Sequence, residues 1–364
     1  MKVLHVLYSG LGGHGNVFFS MVGADEKHEF EFVAVFFGIE DVRDEYVKKA
    51  EACNIPWFYV KKKPGIDFEA YKKITNIILE QAPDVIFLHS SAYIFPARKA
   101  VKQSAKKMKI VVRETQANHL KTKQEWLGLC AALLKANRVV FLSNEYRDAV
   151  RKKLFFVFSN KKTTVIPNGI DLHLFSPAQK QGTDTIRIGM LSRLTPSKDH
   201  VTLIHAFAKC LQENKTGKKI ELHIAGEGES KPALQQLVSS LNLTGHVFFA
   251  GLLDVADLPA YINKLDIYVH ATLGETMSTA IMQVMACRVP IIASDVLGVN
   301  NMVKDKQNGL LVQAKNELEL CKAIWVFIND PVLAQTLATN AFNFATENYS
   351  NKKMLQSYKA IFNS

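Results

Sequence analysis

Apolar positions in the first part of the chain fall into short unbroken runs separated by stretches with helical spacing. KVLHVLY (2–8), FEFVAVFF (30–37), PWFYV (56–60), DVIFLHS (84–90), KIVVRET (109–115) and RVVFLS (138–143) each read as a strand. Between them NVFFSMVG opens a helix, and 41–53, 68–81, 98–107 and 145–154 repeat their apolar residues at helical intervals. Unbroken apolar strands are those buried on both faces, so strict alternation with helices predicts a parallel sheet covered on both sides. TTVIPNGIDLHLFSPAQKQGTDT (163–185) replaces this periodicity with turn chemistry and predicts a domain boundary. Beyond it the alternation resumes. IRIGMLS, IELHIAG, VFFAG, IYVHA, PIIAS and NGLLV read as strands, 199–213, 231–241, 255–263 and 278–287 as helices, and helices run to the C-terminus. The pattern predicts an α/β chain of two similar parallel αβ domains, 1–168 and 185–346, facing each other across a cleft. In open parallel sheets ligands bind beyond the carboxyl ends of the strands, so the loops after strands are where chemistry is sought.

A length of 364 residues agrees with two domains at a prior of about 150 residues each. Hydrophobic residues at 48% and charged residues at 22% leave no room for a long disordered region. The run from Met1 to Tyr8 lacks the features of a secretory signal, and no apolar run approaches the roughly 20 residues that span a bilayer. A cytoplasmic protein is the expectation. Cys53, Cys130, Cys210, Cys287 and Cys321 are widely spaced and lack a CxxC pair, which predicts small reduced core residues and neither a disulfide framework nor a zinc site. The net charge of +11 changes the picture more. Many basic residues lie in the first half: Lys61 to Lys63, then Arg98, Lys99, Lys102, Lys106, Lys107 and Lys109, then Arg151 to Lys153 running into LFFVF. Cations beside Phe155, Phe156 and Phe158 suit an anionic membrane surface, where each contributes about 1 kcal/mol. The same residues also suit a solvated helix face with inward aromatics. No nucleic-acid reading module accompanies the charge, so nucleic acid is not expected as a partner.

Three loops carry candidate chemistry. GLGGHG (10–15) follows the first strand and opens the first helix, so backbone N–H groups there can meet an anion. Its glycines do not follow GxGxxG, and a plain tight turn explains it equally. In MLSRLTPSKDH (190–200), Arg193 and Lys198 lie between a strand and a helix whose start is signalled by Ser197 and Asp199. A helix dipole repels cations at its N-terminus, so the pair predicts an anion between them, a diphosphate, with plain surface decoration as the alternative. IAGEGES (224–230) reads as an ordinary glycine turn. In GETMSTAIMQVMA, Glu275 precedes a helix capped by Ser278 or Thr279, and Gln283 lies eight positions on, on a similar face. One side chain then reaches one part of a ligand and the other a second part, while the N–H groups of Met277, Ser278 and Thr279 can receive phosphate.

VIPNGIDLHLFSP, LSRLTPSKDHVTLIHAFA, LHIAGEGES and GETMSTAIMQVMACRVPIIASDVLGVNNMVKDKQNGLLV, in this order, resemble blocks of the retaining glycosyltransferases of family 4. The resemblance covers nearly the whole chain. It implies the GT-B fold, in which two Rossmann-like domains clasp a nucleotide-sugar, a C-terminal helix (here about 347–364) packs back on the first domain, and no metal is needed. By position Arg193 and Lys198 match the cations that neutralise the donor diphosphate, and Glu275 the first acid of an E-x7-E motif, which contacts the donor sugar. Gln283 matches the second acid, which holds the ribose. Gly12 and Gly13 match a glycine loop near donor and acceptor, with His14 beside them, and backbone near Leu252 matches the segment that holds the base. With these, Met277, Ser278 and Thr279 complete the implied donor site.

Two departures stand out. An amide replaces the second acid, and a neutral acceptor contributes roughly 0.5 to 1.5 kcal/mol against 1.5 to 3 for a charged one. Many members also carry a histidine after the strand that here reads KIVVRETQANH. Thr115 or Gln116 falls near that place and His119 a few residues later, either a substitute or a solvated bystander; Arg113 and Glu114 are further candidates for acceptor contact. The resemblance implies sugar transfer from a UDP- or GDP-type donor to a hydroxyl of an acceptor. The basic, aromatic first half points to a polyprenyl-diphosphate-linked glycan at the inner membrane face, in surface polysaccharide or lipopolysaccharide synthesis. The rivals are a non-catalytic GT-B subunit that binds nucleotide or a partner, and a phosphorylase or sugar-phosphate synthase of the same fold.

Overall fold

The computed structural model describes residues 1–10, 13–179 and 184–364, His119 without its side chain. The chain forms two compact units, Met1–Gly169 with Asn351–Ser364, and Ile170–Ser350.

Among the described residues the first unit has a seven-stranded sheet. Its strands are β1 (Lys2–Tyr8), β2 (Glu31–Gly38), β3 (Trp57–Lys61), β4 (Val85–Leu88), β5 (Lys109–Arg113), β6 (Arg138–Phe141) and β7 (Thr163–Val165). They pair in parallel in the order β3-β2-β1-β4-β5-β6-β7. The second unit has β8 (Thr185–Leu191), β9 (Lys219–Ala225), β10 (Val247–Gly251), β11 (Ile267–His270), β12 (Ile291–Ser294) and β13 (Leu310–Val312), parallel in the order β10-β9-β8-β11-β12-β13. Each order runs outward in one direction and then reverses, between β1 and β4 in one sheet and between β8 and β11 in the other. This is the doubly wound arrangement, and the reversal opens a crevice at the carboxyl ends of the two strands concerned.

Alternate residues of one strand feed different cores. In β1 and β2, Leu4, Val6, Val33 and Val35 face one layer of helices, and Val3, Leu7, Ala34 and Phe36 face the other. Burial on both faces is why these strands are apolar without interruption. The C-terminal helix Asn351–Asn363 belongs to the first unit: Met354, Leu355, Tyr358 and Phe362 form a helical stripe in its core, with Tyr358 and Phe362 edge-on to Phe87.

Some elements depart from the sequence reading. Helix Lys123–Lys135 was not anticipated, although Thr122 and Glu125 form a capping box at its start. Strand β7 lies where turn chemistry was read, because three residues are too few to show a period. Helix Ile94–Gln103 starts before Arg98 and ends before Lys107. Cys53 is exposed and Cys130 half-buried, so only Cys210, Cys287 and Cys321 are core residues. Among the described residues no helix is long and apolar enough to cross a membrane.

Candidate active site

The second unit's crevice is built from the loops after β8, β9, β11 and β12. The loop after β8 is fixed to that after β9 by Ser192 N–H to the Ala225 carbonyl (3.0 Å) and Leu194 N–H to the Glu227 carbonyl (2.9 Å). It is fixed to the loop after β11 by Leu273 N–H to the Ser197 carbonyl (3.0 Å) and Asp199 N–H to the Ala271 carbonyl (3.1 Å). Glu275 N–H in turn donates to the Leu297 carbonyl (3.2 Å). The approach is close enough to require glycine. A Cβ on Gly226 or Gly228 would overlap the Ser192 or Leu194 carbonyl, and one on Gly298 (φ +87°) the Glu275 carbonyl. IAGEGES is therefore more than an ordinary turn: its glycines let two loops lie against each other.

Lys198 and Glu275, on different loops, form an ion pair through Nζ and Oε1. The same Oε1 lies 2.6 Å from His270 Nε2 at the end of β11, and His270 Nδ1 lies 3.0 Å from the Tyr268 hydroxyl. Burial works to raise the Glu275 pKa, but His270 and Lys198, by charge and by hydrogen bonding, hold the carboxyl well below the ordinary carboxylate range. Arg193 is exposed and has no side-chain partner among the described residues, an available cation beside the paired one. Asp199 caps helix His200–Glu213, its side chain accepting from Thr202 N–H (3.4 Å). His200 ties down both ends of the loop, with Nδ1 2.9 Å from the Lys198 carbonyl and Nε2 3.1 Å from Ser192 Oγ.

Ser278 caps helix Thr279–Ala286, its hydroxyl accepting from Ile281 N–H (3.3 Å). Met277 and Thr279 flank it, and Gln283 lies inside the helix, 5% exposed. Leu252 follows β10 and is exposed. His270 and Tyr268 were missed by sequence reasoning. Two polar side chains at i and i+2 of a fully buried strand were the available signal, since they share one face of the sheet.

The first unit's candidates gather at the carboxyl ends of β1, β4 and β5. Tyr8 N–H donates to His14 Nδ1 (3.3 Å), which leaves the ring proton on Nε2, 3.0 Å from Thr115 Oγ1; Thr115 donates to the His89 carbonyl (3.3 Å). Burial, and secondarily the Arg113 charge, lowers His14 to about 3, so the ring is neutral near pH 7. Arg113 is only 2% exposed and donates to Asn168 Oδ1, with Tyr358 as a second partner. It ties the end of β5 to the end of the unit and to the C-terminal helix and offers almost no surface to an acceptor. Glu114 is buried in an ion pair with Lys121 (3.3 Å), whereas Gln116 is exposed. Gly13 has open space where a Cβ would stand; crowding falls on Gly15, against the Tyr46 ring, so part of GLGGHG is explained by packing. Gly12 and the His119 side chain lie outside the described residues.

Two family models account for almost the whole chain. Glycosyltransferase Family 4 matches residues 11–174 and Glycosyl transferases group 1 matches residues 175–344. The chain belongs to the glycosyltransferases of this family. An uncharacterised glycosyltransferase of Methanocaldococcus jannaschii is 27% identical over 235 residues, 63% of this chain and 58% of that one. The UDP-Gal:alpha-D-GlcNAc-diphosphoundecaprenol alpha-1,3-galactosyltransferase of Escherichia coli is 24% identical over 313 residues, 81% of this chain and 79% of that one. The match thus spans little more than half of the archaeal relative and about four fifths of the bacterial one. The structure of Anabaena HepE with UDP and glucose superposes over 100% of both chains with a TM-score of 0.82 at 20% identity. The likeness establishes the GT-B fold.

Proposed function

We propose that this glycosyltransferase moves a sugar from a nucleoside diphosphate to a hydroxyl of a lipid-linked glycan, with retention at the anomeric carbon, in surface polysaccharide synthesis. The observation that carries the reading is the cluster at the β8/β11 crevice, where Lys198, Glu275 and His270 meet beside an available Arg193. In this reading Arg193, Lys198 and the N–H groups of Met277, Ser278 and Thr279 receive the diphosphate, Glu275 holds the donor sugar, Gln283 the ribose, and backbone near Leu252 the base. Acceptor oxygen attacks the anomeric carbon from the face the phosphate leaves. The C–O bond to phosphate breaks, the new glycosidic bond forms, and the acceptor proton passes to the departing phosphate oxygen. Two cations at that oxygen offset the charge it develops, a preorganised electrostatic contribution.

The E. coli relative is named for a UDP-sugar donor and a diphosphoundecaprenol-linked acceptor, and HepE is described with UDP and glucose. Both support a UDP-type donor here, and the first a polyprenyl-linked acceptor. A place for the lipid is also suggested by the first unit. Phe155 and Phe156 are 75% and 65% exposed, next to the exposed Arg151, Lys152 and Lys153, while Phe158 packs inward near Phe141. Leu127 and Leu134 are exposed on helix Lys123–Lys135, with Lys153 over the Trp126 ring at 3.9 Å. Exposed aromatics between cations fit the headgroup region of an anionic bilayer at the inner membrane face. Phe155→Ser/Phe156→Ser is expected to lose co-sedimentation with phosphatidylglycerol vesicles while keeping its melting temperature; unchanged sedimentation removes the membrane from the proposal.

The donor and stereochemistry are tested together. Thermal shifts with UDP, GDP, ADP and CDP identify the base, since a ligand at 100 times its Kd stabilises by about 2.7 kcal/mol. NMR of the product formed from the matching α-linked nucleotide-sugar is expected to show an α-linkage. A β-linkage overturns retention, and binding without turnover on any acceptor supports the non-catalytic reading that Gln283 otherwise favours.

A further inference from the structure

We propose that His270 is a positioning residue, the anchor that keeps Glu275 in place when Lys198 turns to the donor phosphate. The inference rests on the donor-site reading above. Glu275 Oε1 accepts from two groups, Lys198 Nζ and His270 Nε2. Lys198 sits on a flexible four-carbon stem in the loop after β8, and phosphate competes for its ammonium. His270 is fixed. It lies at the end of a fully buried strand, 1% exposed, with its ring near-parallel to that of Tyr268 (27°).

The chain of partners behind it is directional. A carboxylate only accepts, so His270 Nε2 carries a proton toward Glu275. On the far side the Tyr268 hydroxyl lies 3.0 Å from His270 Nδ1 and 3.2 Å from the Leu191 carbonyl. The Tyr268 hydroxyl thus bridges the far ring nitrogen of His270 and the end of β8. Leu191 is the last residue of β8, so Tyr268 and His270 brace the two strand ends that flank the crevice and hand that rigidity to Glu275. When Lys198 leaves for phosphate, the carboxylate retains one immobile N–H donor. Without His270, donor binding sets the two roles of Lys198, partner of Glu275 and partner of phosphate, against each other.

The test compares His270→Leu, His270→Gln, Glu275→Ala and the double variant Glu275→Ala/His270→Leu with the wild type. Each is measured for melting temperature, for affinity toward the nucleoside diphosphate that stabilises the wild type, and for nucleotide-sugar turnover. His270→Leu is expected to lose turnover by about 100-fold, as a displaced contact does, while still folding and binding the nucleoside diphosphate, which lacks the sugar. His270→Gln, whose amide N–H can reach the Nε2 position, is expected to restore most of that turnover. In the Glu275→Ala background His270→Leu is expected to lower turnover no further. Full turnover in His270→Leu, or no recovery in His270→Gln together with an additive double variant, overturns the proposal. If Glu275→Ala itself turns over normally, the donor-site reading fails instead.

Discussion

Glu275 and Gln283 divide the donor between them in this reading, and they are not equally equipped. Glu275 is a carboxylate braced by Lys198 and His270, with its pKa depressed despite burial. Gln283 is a neutral amide inside helix Thr279–Ala286, and a neutral acceptor holds a hydroxyl less strongly than a charged one. Gln283→Glu is therefore expected to tighten the preferred nucleoside diphosphate by about tenfold in calorimetry. An unchanged Kd would mean that Gln283 does not hold the ribose. Arg193, Lys198 and Glu275 stand out as candidates in the sequence because each breaks a local rule: two cations before a helix start, and an acid in a loop beside a capping serine. His270 does not, because its meaning lies in a partner on the next loop and a tyrosine that faces the neighbouring strand. Arg113 is the converse case. Its position at a strand end suggested an acceptor contact, whereas burial against Asn168 and Tyr358 depends on where the C-terminal helix returns.

Loops, more than helices, set the geometry at the next scale. The Glu275 loop is buttressed by residues 295–302, and Gly298 makes the approach possible by its positive φ and missing side chain. Gly298→Ala would have to push the Glu275 backbone away, so turnover is expected to fall by about 100-fold. Gly217 has a similar φ of +74° but open space at the Cβ position, and its alanine variant is a control expected to lose about 1 kcal/mol of stability and little turnover. Equal turnover in the two variants would show that the Gly298 contact does not position Glu275. The strand-helix alternation was readable because burial on both sheet faces leaves unbroken apolar runs. Helix Lys123–Lys135 was passed over although Thr122 and Glu125 marked its start, and β7 offered only three residues at a sheet edge.

Across the whole molecule the histidines with lowered pKa are unevenly shared. Burial first, and the Arg113 charge second, lowers His5 and His14 to about 3, and burial above all places His89 well below its ordinary value, all in the first unit. The second unit has His200, lowered to about 4 chiefly by burial. A base whose folded pKa is depressed takes up protons more readily when unfolded. Its full stabilisation is present above about pH 6.5 and declines as pH falls toward the folded value, by up to ~1.4 kcal/mol per pH unit for each histidine. Calorimetry between pH 7 and 5 is expected to move the first unit's transition down further than the second's, which nucleoside diphosphate identifies by shifting it up. Equal shifts would contradict the assignment of these rings as neutral. Such coupling was invisible in the sequence, where His89 lies far from His5 and His14 and meets them only through the pairing of β1 with β4. The most direct test of sugar transfer at the β8/β11 crevice is release of nucleoside diphosphate from a panel of UDP- and GDP-sugars, with and without a polyprenyl-diphosphate glycan. The prediction is acceptor-dependent release by the wild type, reduced by about 100-fold in Glu275→Ala although that variant still binds the nucleotide. No release by the wild type on any pair, or equal release by Glu275→Ala, would contradict it.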